Sequence, residues 1–498
     1  MASIQTRNSV AAIVKEVAEG ELKAPTSATQ YIAVQDDFSM SANFENLDNS
    51  ELKASIGAAK PIVGSEAPQS SFSHYLRHSA VEGQAPSYGP LLEACLGAVV
   101  TASTEYDTVA ASTVSVIKVG SGEGAQLQRG QALLIKDSVN GYRIRGIDSV
   151  SGDNLNLGFQ LPTGLAPAAG VNLGKCVLYK PANSGHPTLS IWDYKGQGGA
   201  IQAMSGARVT NASFDISAGQ LINANYSLEG VEYFFDPIEV VTGANDIVFD
   251  IGGGPVTASV ALGWYKTPHD LAAAVKTAIS GAAAGTYTCT YDDATGMFTV
   301  TKSAGTLSID WATGANSIGA TLGFTSDDSG GLSYTSDVAQ DYSSPHTPSF
   351  DAADPLAAKD NEVMVGLGTE FACFKASSVN LTIDTPKADI QSVCAVSGKD
   401  GSIIQSREVT VAVTALLEQY DAKQFERFRN GTEVKFQYSF GQKSGGNWIA
   451  GKCGMLYVPT AVIQSFNVTD TDGLATVELE LKAFVNSSGE GEVYVAFV

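Results

Sequence analysis

A mainly β chain, in which one strand-and-helix pattern is used twice and two small modules interrupt it, is what the residues predict. Three observations carry that expectation. The 498 residues include 51 Gly, with 44% hydrophobic and only 16% charged side chains and many Ser, Thr and Val, the composition of β modules joined by tight turns. Segment after segment alternates apolar and polar residues and stops at Gly or Asn-Gly. The grammar of the first part then recurs after residue 370. A chain of this length exceeds one hydrophobic core, so two to four domains are expected.

The elements divide as follows. Residues 1–112 with 181–236 make a first repeat domain, 113–180 an inserted small β module, 237–345 an inserted α+β or β module, and 346–498 a second repeat domain. Phe38 to Leu76 reads as strands with polar breaks, including the segment Glu51 to Gly57. Ser87-Tyr88-Gly89-Pro90 then opens a short amphipathic helix, with Ser87 as cap and Gly97 as stop. In the first module Gln131 to Ile135 and Tyr142 to Ile147 alternate as strands, and the Pro- and Ala-rich stretch Leu161 to Gly170 is a loop. Val209 to Ile216 and Leu221 to Leu228, linked by Ser217-Ala218-Gly219-Gln220, form a hairpin. The second module has strands around Ile247 to Ile251 and a helix from Thr267 and Pro268 that aligns Leu271, Val275 and Ile279. A hairpin follows, Tyr287 to Tyr291 and Met297 to Thr301; Ser326 to Gly331 and Ser343 to Phe350 read as loop and linker.

The recurrence is a likeness of pattern at low identity. Ser39 to Phe44 matches Ser378 to Ile383, and Ser213-Phe214-Asp215-Ile216 matches Ser465-Phe466-Asn467-Val468, each leading through a turn into an alternating return strand, Leu474 to Leu481 in the second copy. The helix has its counterpart in Asp421 to Phe428, capped by Asp421 and ended by Asn430-Gly431.

The residues show no constellation that carries chemistry. The net charge of −22 argues against a protein that grips nucleic acid, because phosphate binding needs Lys and Arg, although an acidic wall suits a conduit that must not hold phosphates. Cys95, Cys176, Cys289, Cys373, Cys394 and Cys453 show no metal or redox spacing and are expected as buried thiols. Gly446 to Lys452 matches part of a phosphate-binding loop, but Cys453 stands where a hydroxyl is needed and a strand follows, so it reads as a hairpin. His74 and His78 are expected at a surface or interface, with no third ligand. Asp327-Asp328 and Asp470 to Gly473 lack the spaced oxygens of a calcium loop and read as turns. No serine stands in a nucleophile elbow and no pair of facing carboxylates can be nominated, so neither catalysis nor a cofactor or metal is expected. No signal-peptide core opens the chain and nowhere do about 18 apolar residues run together, so cytoplasmic folding without membrane insertion is expected.

Thr6 to Val10, Glu51 to Gly57, Gly83 to Ala94 and Phe425 to Glu433 resemble the tail-tube proteins of long-tailed phages, over about 300 residues outside the two modules. The resemblance implies two tandem tail-tube β-sandwich or barrel domains, each with a flanking helix. Three subunits would then give a pseudo-sixfold ring, stacked into a tube around a lumen that conducts DNA without specific binding. It implies self-contacts within and between rings, a tape measure protein in the lumen during assembly, and tail terminator and tail tip proteins at the ends. It places the protein in the virion tail after assembly in the host cytoplasm. The alternative is a tail baseplate or host-adhesion binding protein, suggested by the modules. Ala2 to Leu22 has two readings. With Val10, Ile13, Val14 and Val17 on one helical face, it is either an arm docking on a neighbour or a helix packed on its own domain. The oligomerisation candidates are Val10, Ile13, Val17, Leu52, Ile56 and Ile62.

Overall fold

Alternation builds the sheets. In Glu408–Leu416 the residues Val409, Val411, Val413 and Ala415 are buried while those between them are open or half-open, so one face of the strand meets a core. A computed structural model describes residues 4–51, 60–351, 353–417, 422–471, 473–486 and 491–498, and it is mainly β with antiparallel pairing in every sheet. Its helices are α1 (Gly89–Leu96), α2 (Pro268–Ala282), α3 (Gly319–Leu322) and α4 (Ala422–Asn430).

One pairing order occurs twice. In the first half Val10–Lys15 pairs with Leu189–Lys195, which pairs with the long strand Ala200–Ser217, then Asn223–Glu229, Gln69–Tyr75 and Ser39–Ser41. In the second half Glu362–Gly366 pairs with Val434–Ser444, then the long strand Asn447–Thr471, Leu474–Ala483, Glu408–Leu416 and Ala376–Asp384. Each half adds a hairpin at the same point in the chain, Phe44–Leu47 with Ile62–Glu66 in the first and Lys387–Gln391 with Lys399–Ile404 in the second. Each then adds a helix, α1 or α4.

Two bulges fix how the halves superpose. The long strand of the first half slips register near Leu189/Ile191 and at Val209/Asn211, and that of the second near Val434/Phe436 and at Ile463/Ser465. Matching both bulges sets Met204 on Val458 and Ala207 on Ala461, a constant offset of 254 along the long strands (458 − 204 = 461 − 207). Carried through the ladders, the same match sets Tyr226 on Leu479, Phe72 on Val413 and Met40 on Leu381. A bulge bends a strand, and here it lets one strand serve two sheets.

The halves are joined edge to edge. Ala200–Ser217 pairs with Ala376–Asp384 over seven residue pairs, from Asn211 opposite Asp384 to Ser217 opposite Ser378. The result is one eight-stranded sheet, ordered Ser39–Ser41, Gln69–Tyr75, Asn223–Glu229, Ala200–Ser217, Ala376–Asp384, Glu408–Leu416, Leu474–Ala483, Asn447–Thr471. The core beneath it is continuous and draws Phe72, Phe214 and Tyr226 from the first half and Leu381, Val411 and Leu479 from the second.

The inserted segments cap the halves crosswise. The sheet of Val116–Lys118, Asn154–Leu157, Arg143–Ser151 and Ala132–Ile135 interrupts the first half but lies on the second. Gln437 accepts from the Gly146 N–H at 3.2 Å and donates to the Ile144 carbonyl at 3.1 Å, and Lys435 reaches Asp148 at 2.6 Å. The approach is close enough that a Cβ on Gly146 would stand 3.1 Å from the Tyr457 ring. Cys176–Pro181, expected partly within this module, pairs instead with Gly97–Ala102 and Tyr494–Phe497 of the large sheet. The segment from Ile238 to Thr335 has its own core around Leu271, Val275, Ile279, Phe298 and Trp311, and it meets the first half where Trp264 lies 5.3 Å from Trp192. Its helix α2 begins where Thr267 accepts from the Asp270 N–H.

Several expectations are corrected. Val10–Lys15 is a strand and not a helix, because Ala11 to Val14 are covered on both faces, and an unbroken apolar run is how a doubly buried strand reads. Ser87 does not cap α1: its hydroxyl donates to Asp351, and Tyr88 holds the cap position. Asp328–Gly331, read as loop, is a strand, and Asp327 holds the backbone N–H groups of Ala312 and Thr313 instead of turning a hairpin. His74 and His78 are interior, and Cys373 and Cys394 are exposed while the other four thiols are buried. The proposed cap Asp421 lies outside the described residues.

Candidate assembly interface

The eight-stranded sheet has an open face and two open edges. Period-two alternation sends Ala212, Phe214 and Ile216 into the core and Asn211, Ser213 and Asp215 to the open face. That face is polar across both halves. Asn225 donates to Asp215 at 2.5 Å, Asn380 donates to the same carboxylate, and Asn211 donates to Asp384 at 2.5 Å, so a hydrogen-bonded row crosses the junction. Farther along, Glu478 and Glu480 are exposed, and Lys482 meets Glu408 at 2.5 Å. The surface presents acceptors and negative charge, which repels phosphate within about 8 to 10 Å at physiological salt.

At one end of the sheet stands Ser39–Ser41 and at the other the stretch from Ser465 to Thr471, and among the described residues neither has a strand on its outer side. Such edges are templates for further pairing. Hydrophobic side chains are exposed beside the second edge: Val468 at 56%, Leu474 at 59% and Phe425 of α4 at 47%. The Phe425 ring lies 5.6 Å from Phe466, so helix and edge form one patch.

The two hairpins behave differently. The hairpin ending at Ile404 lies on the first half, where Ser402 donates its N–H to Glu19 at 2.6 Å and receives Arg208 at 2.8 Å. Lys387 and Lys399 close on Asp389 within it, holding that carboxyl below its usual range against the opposing effect of burial. The first half's hairpin leaves Phe44, Leu47, Ile62 and Val63 exposed.

Among the sequence candidates, Ile62 is on this exposed hairpin and Val17 is exposed at 83% just after the first strand. Val10 is half-buried at the start of that strand, and Ile13 fills the interior of its own fold, leaving no side-chain surface for another subunit. Leu52 and Ile56 lie outside the described residues. Sequence reading missed Met40, Phe425 and Val468 as edge residues. The recurrence pointed to these strands, but a match two residues out of register hid that Val468 and Met40 stand where Phe214 and Leu381 stand at the inner junction.

Histidine and cysteine chemistry does not converge on a site. Burial holds His74 neutral, down to about 4, with its ring 4.4 Å from Tyr88 and stacked on Tyr226. His78 Nδ1 accepts from the Ala80 N–H, and burial lowers this histidine too. Burial pushes the Cys95 and Cys453 thiols up to about 12. Among the described residues no three His, Cys, Asp or Glu side chains are grouped to hold a metal ion. The Gly445-Gly446 turn joins Val434–Ser444 to Asn447–Thr471 as a hairpin, with Lys452 within a strand.

No family pattern matches the chain, and no characterised protein matches it in sequence. Among solved structures, a chain from the virion of a native gene transfer agent particle is 14% identical over 25% of this chain and 92% of its own, with a TM-score of 0.20. The SPP1 tail tube is 17% identical over 27% of this chain and 76% of its own, with a TM-score of 0.18. Likeness of that degree decides neither family nor function.

Proposed function

We propose that the chain is a structural subunit of a phage tail tube and not an enzyme: it joins head to tail into closed rings that stack around a lumen. What carries this is the internal repeat, not the slight likeness to a virion particle and a tail tube. Two halves of one pairing order are already joined edge to edge, and the same two edges are left open at the ends of the pair. A head-to-tail contact that repeats by rotation closes a ring, and one that repeats along an axis makes a tube. Three chains of eight inner strands would line the lumen with twenty-four (3 × 8), a pseudo-sixfold ring of six repeat units. The polar, acid-bearing face suits a wall that DNA slides past. A tape measure protein in the lumen during assembly, terminator and tip proteins at the ends, and a place in the virion tail after assembly in the host cytoplasm belong to the same proposal.

Negative-stain microscopy of the concentrated protein tests it. Rings or tubes with a central hole are expected, and a strictly monomeric compact particle overturns it. A second reading, a baseplate or adhesion protein, is favoured by the separate core of residues 238–335. Deleting 237–345 separates the two: a tube subunit still polymerises, whereas an adhesion protein loses host attachment.

A further inference from the structure

We infer that the junction inside the chain is the template of the junction between chains, and that it fixes the pairing register: Val468 of one copy stands opposite Met40 of the next. This rests on the tube reading. Within the chain Phe214 faces Leu381, Ala212 faces Ile383 and Asp215 faces Asn380. The offset of 254 carries Phe214 to Val468, and the offset of 341 between Met40 and Leu381 carries the partner strand back to the start of the chain. The paired numbers within the chain sum to 595 (214 + 381), so those between chains sum to 508 (595 + 254 − 341). Hence Val468 meets Met40, Phe466 meets Ala42 and Thr469 meets Ser39.

Three observations fit a second copy as the occupant of this edge. Val468 is exposed, whereas Phe214 in the equivalent place is fully buried by Leu381. Phe425 extends the apolar patch through Phe466, while Glu478 and Glu480 keep the open face of the adjoining strand polar, as at the internal junction. The hairpin that follows Ala376–Asp384 already reaches back over the preceding half through Ser402, Glu19 and Arg208. The equivalent hairpin after Ser39–Ser41, with Ile62 and Val63 exposed, is placed to reach back over the second half of the preceding chain.

Directly opposite residues of antiparallel strands have Cα atoms about 4.5 to 5.5 Å apart, within disulfide range, and a two-residue slip removes them from it. The test mixes full-length chains carrying Met40→Cys with chains carrying Val468→Cys, in a background with Cys373→Ser and Cys394→Ser, and oxidises them mildly. A covalent dimer is expected, with at least a tenfold lower yield when Ala42→Cys replaces Met40→Cys. The double variant Met40→Cys with Val468→Cys should give a ladder that ends at the ring. Sedimentation and microscopy before oxidation separate the failures. Rings that form but cross-link equally well, or better, through Ala42→Cys overturn the register and leave the tube reading standing. Chains that stay monomeric overturn both.

Discussion

Ala200–Ser217 and Asn447–Thr471 hold the same place in the two halves, yet Phe214 is fully buried and its counterpart Val468 is 56% exposed. The helices repeat the contrast. Six of the eight residues of α1 are buried, whereas α4 buries only Gln424 and Arg427 and leaves Phe425 exposed. Neither strand nor helix changes type between the halves. For the strands what changes is the presence of a following copy, which covers the inner edge and leaves the outer one open, whereas α1 is covered by Gly97–Ala102 and Cys176–Pro181. An exposed Val or Phe alone is ordinary. The same position buried at one end of a repeat and bare at the other marks a contact the single chain does not complete. The repeat covers strand pairing and not every side chain. Arg407 donates to the last carbonyl of α1, on Leu96, at 2.8 Å, and the offset of 341 places Glu66 at its position in the first half.

The largest expected effect lies at the inner junction. Leu381→Ala removes the side chain that faces Phe214 in a closed core and should cost about 4 kcal/mol, read as a lower denaturant midpoint. A loss below about 1 kcal/mol would mean that the two halves are held together elsewhere. Next comes the acid sensitivity of one buried histidine, which has no counterpart in the second half: His74 is interior, and the offset of 341 sets Ala415 in its place. Its folded pKa is depressed to about 4 from 6.5, so below pH 6.5 the unfolded chain takes a proton that the folded one refuses. Stability should fall by about 3 kcal/mol between pH 6.5 and 4 on this account. His74→Ala should flatten that fall in a pH series of thermal melts. A smaller effect is expected where the crosswise caps attach. Gln437 and Trp192 are equivalent outward positions, one bonded to Gly146 and Ile144, the other packed on Trp264. Gln437→Ala leaves the buried Gly146 N–H without this acceptor, while the Ile144 carbonyl keeps Arg145 at 2.7 Å, and should cost about 2 kcal/mol in the same melts.

The mainly β class was legible because period-two alternation and glycine turns are local, and α2 because Thr267, Pro268 and the Leu271, Val275, Ile279 stripe are local too. The recurrence was also legible, but its register was not. Reading Ser213 onto Ser465 and Ser39 onto Ser378 places each strand two residues from where the bulges and ladders put it, since Ser213 falls on Asn467 and Ser39 on Asn380. A slip of two keeps every side chain on its face, so alternation alone cannot detect it. The crosswise capping was hidden for a different reason: nothing in residues 113–180 says that they cover a sheet made more than 250 residues later. Val10–Lys15 was misread because a run buried on both faces has no period to measure.

The smallest effect on the single chain should be the largest on assembly, and that disparity tests the comparison most sharply. Val468→Lys alters an exposed side chain on an open edge, so the midpoint of the isolated subunit should move by no more than about 0.5 kcal/mol. In a ring the same lysine would be buried beside Met40, and a buried charge without a partner is costly enough to stop the contact forming. Urea melts and sedimentation on the same preparation measure both. An unchanged midpoint with loss of rings is expected. A large drop in the midpoint would show that Val468 already serves the chain's own core, and unchanged rings would show that the outer edge is not where chains meet.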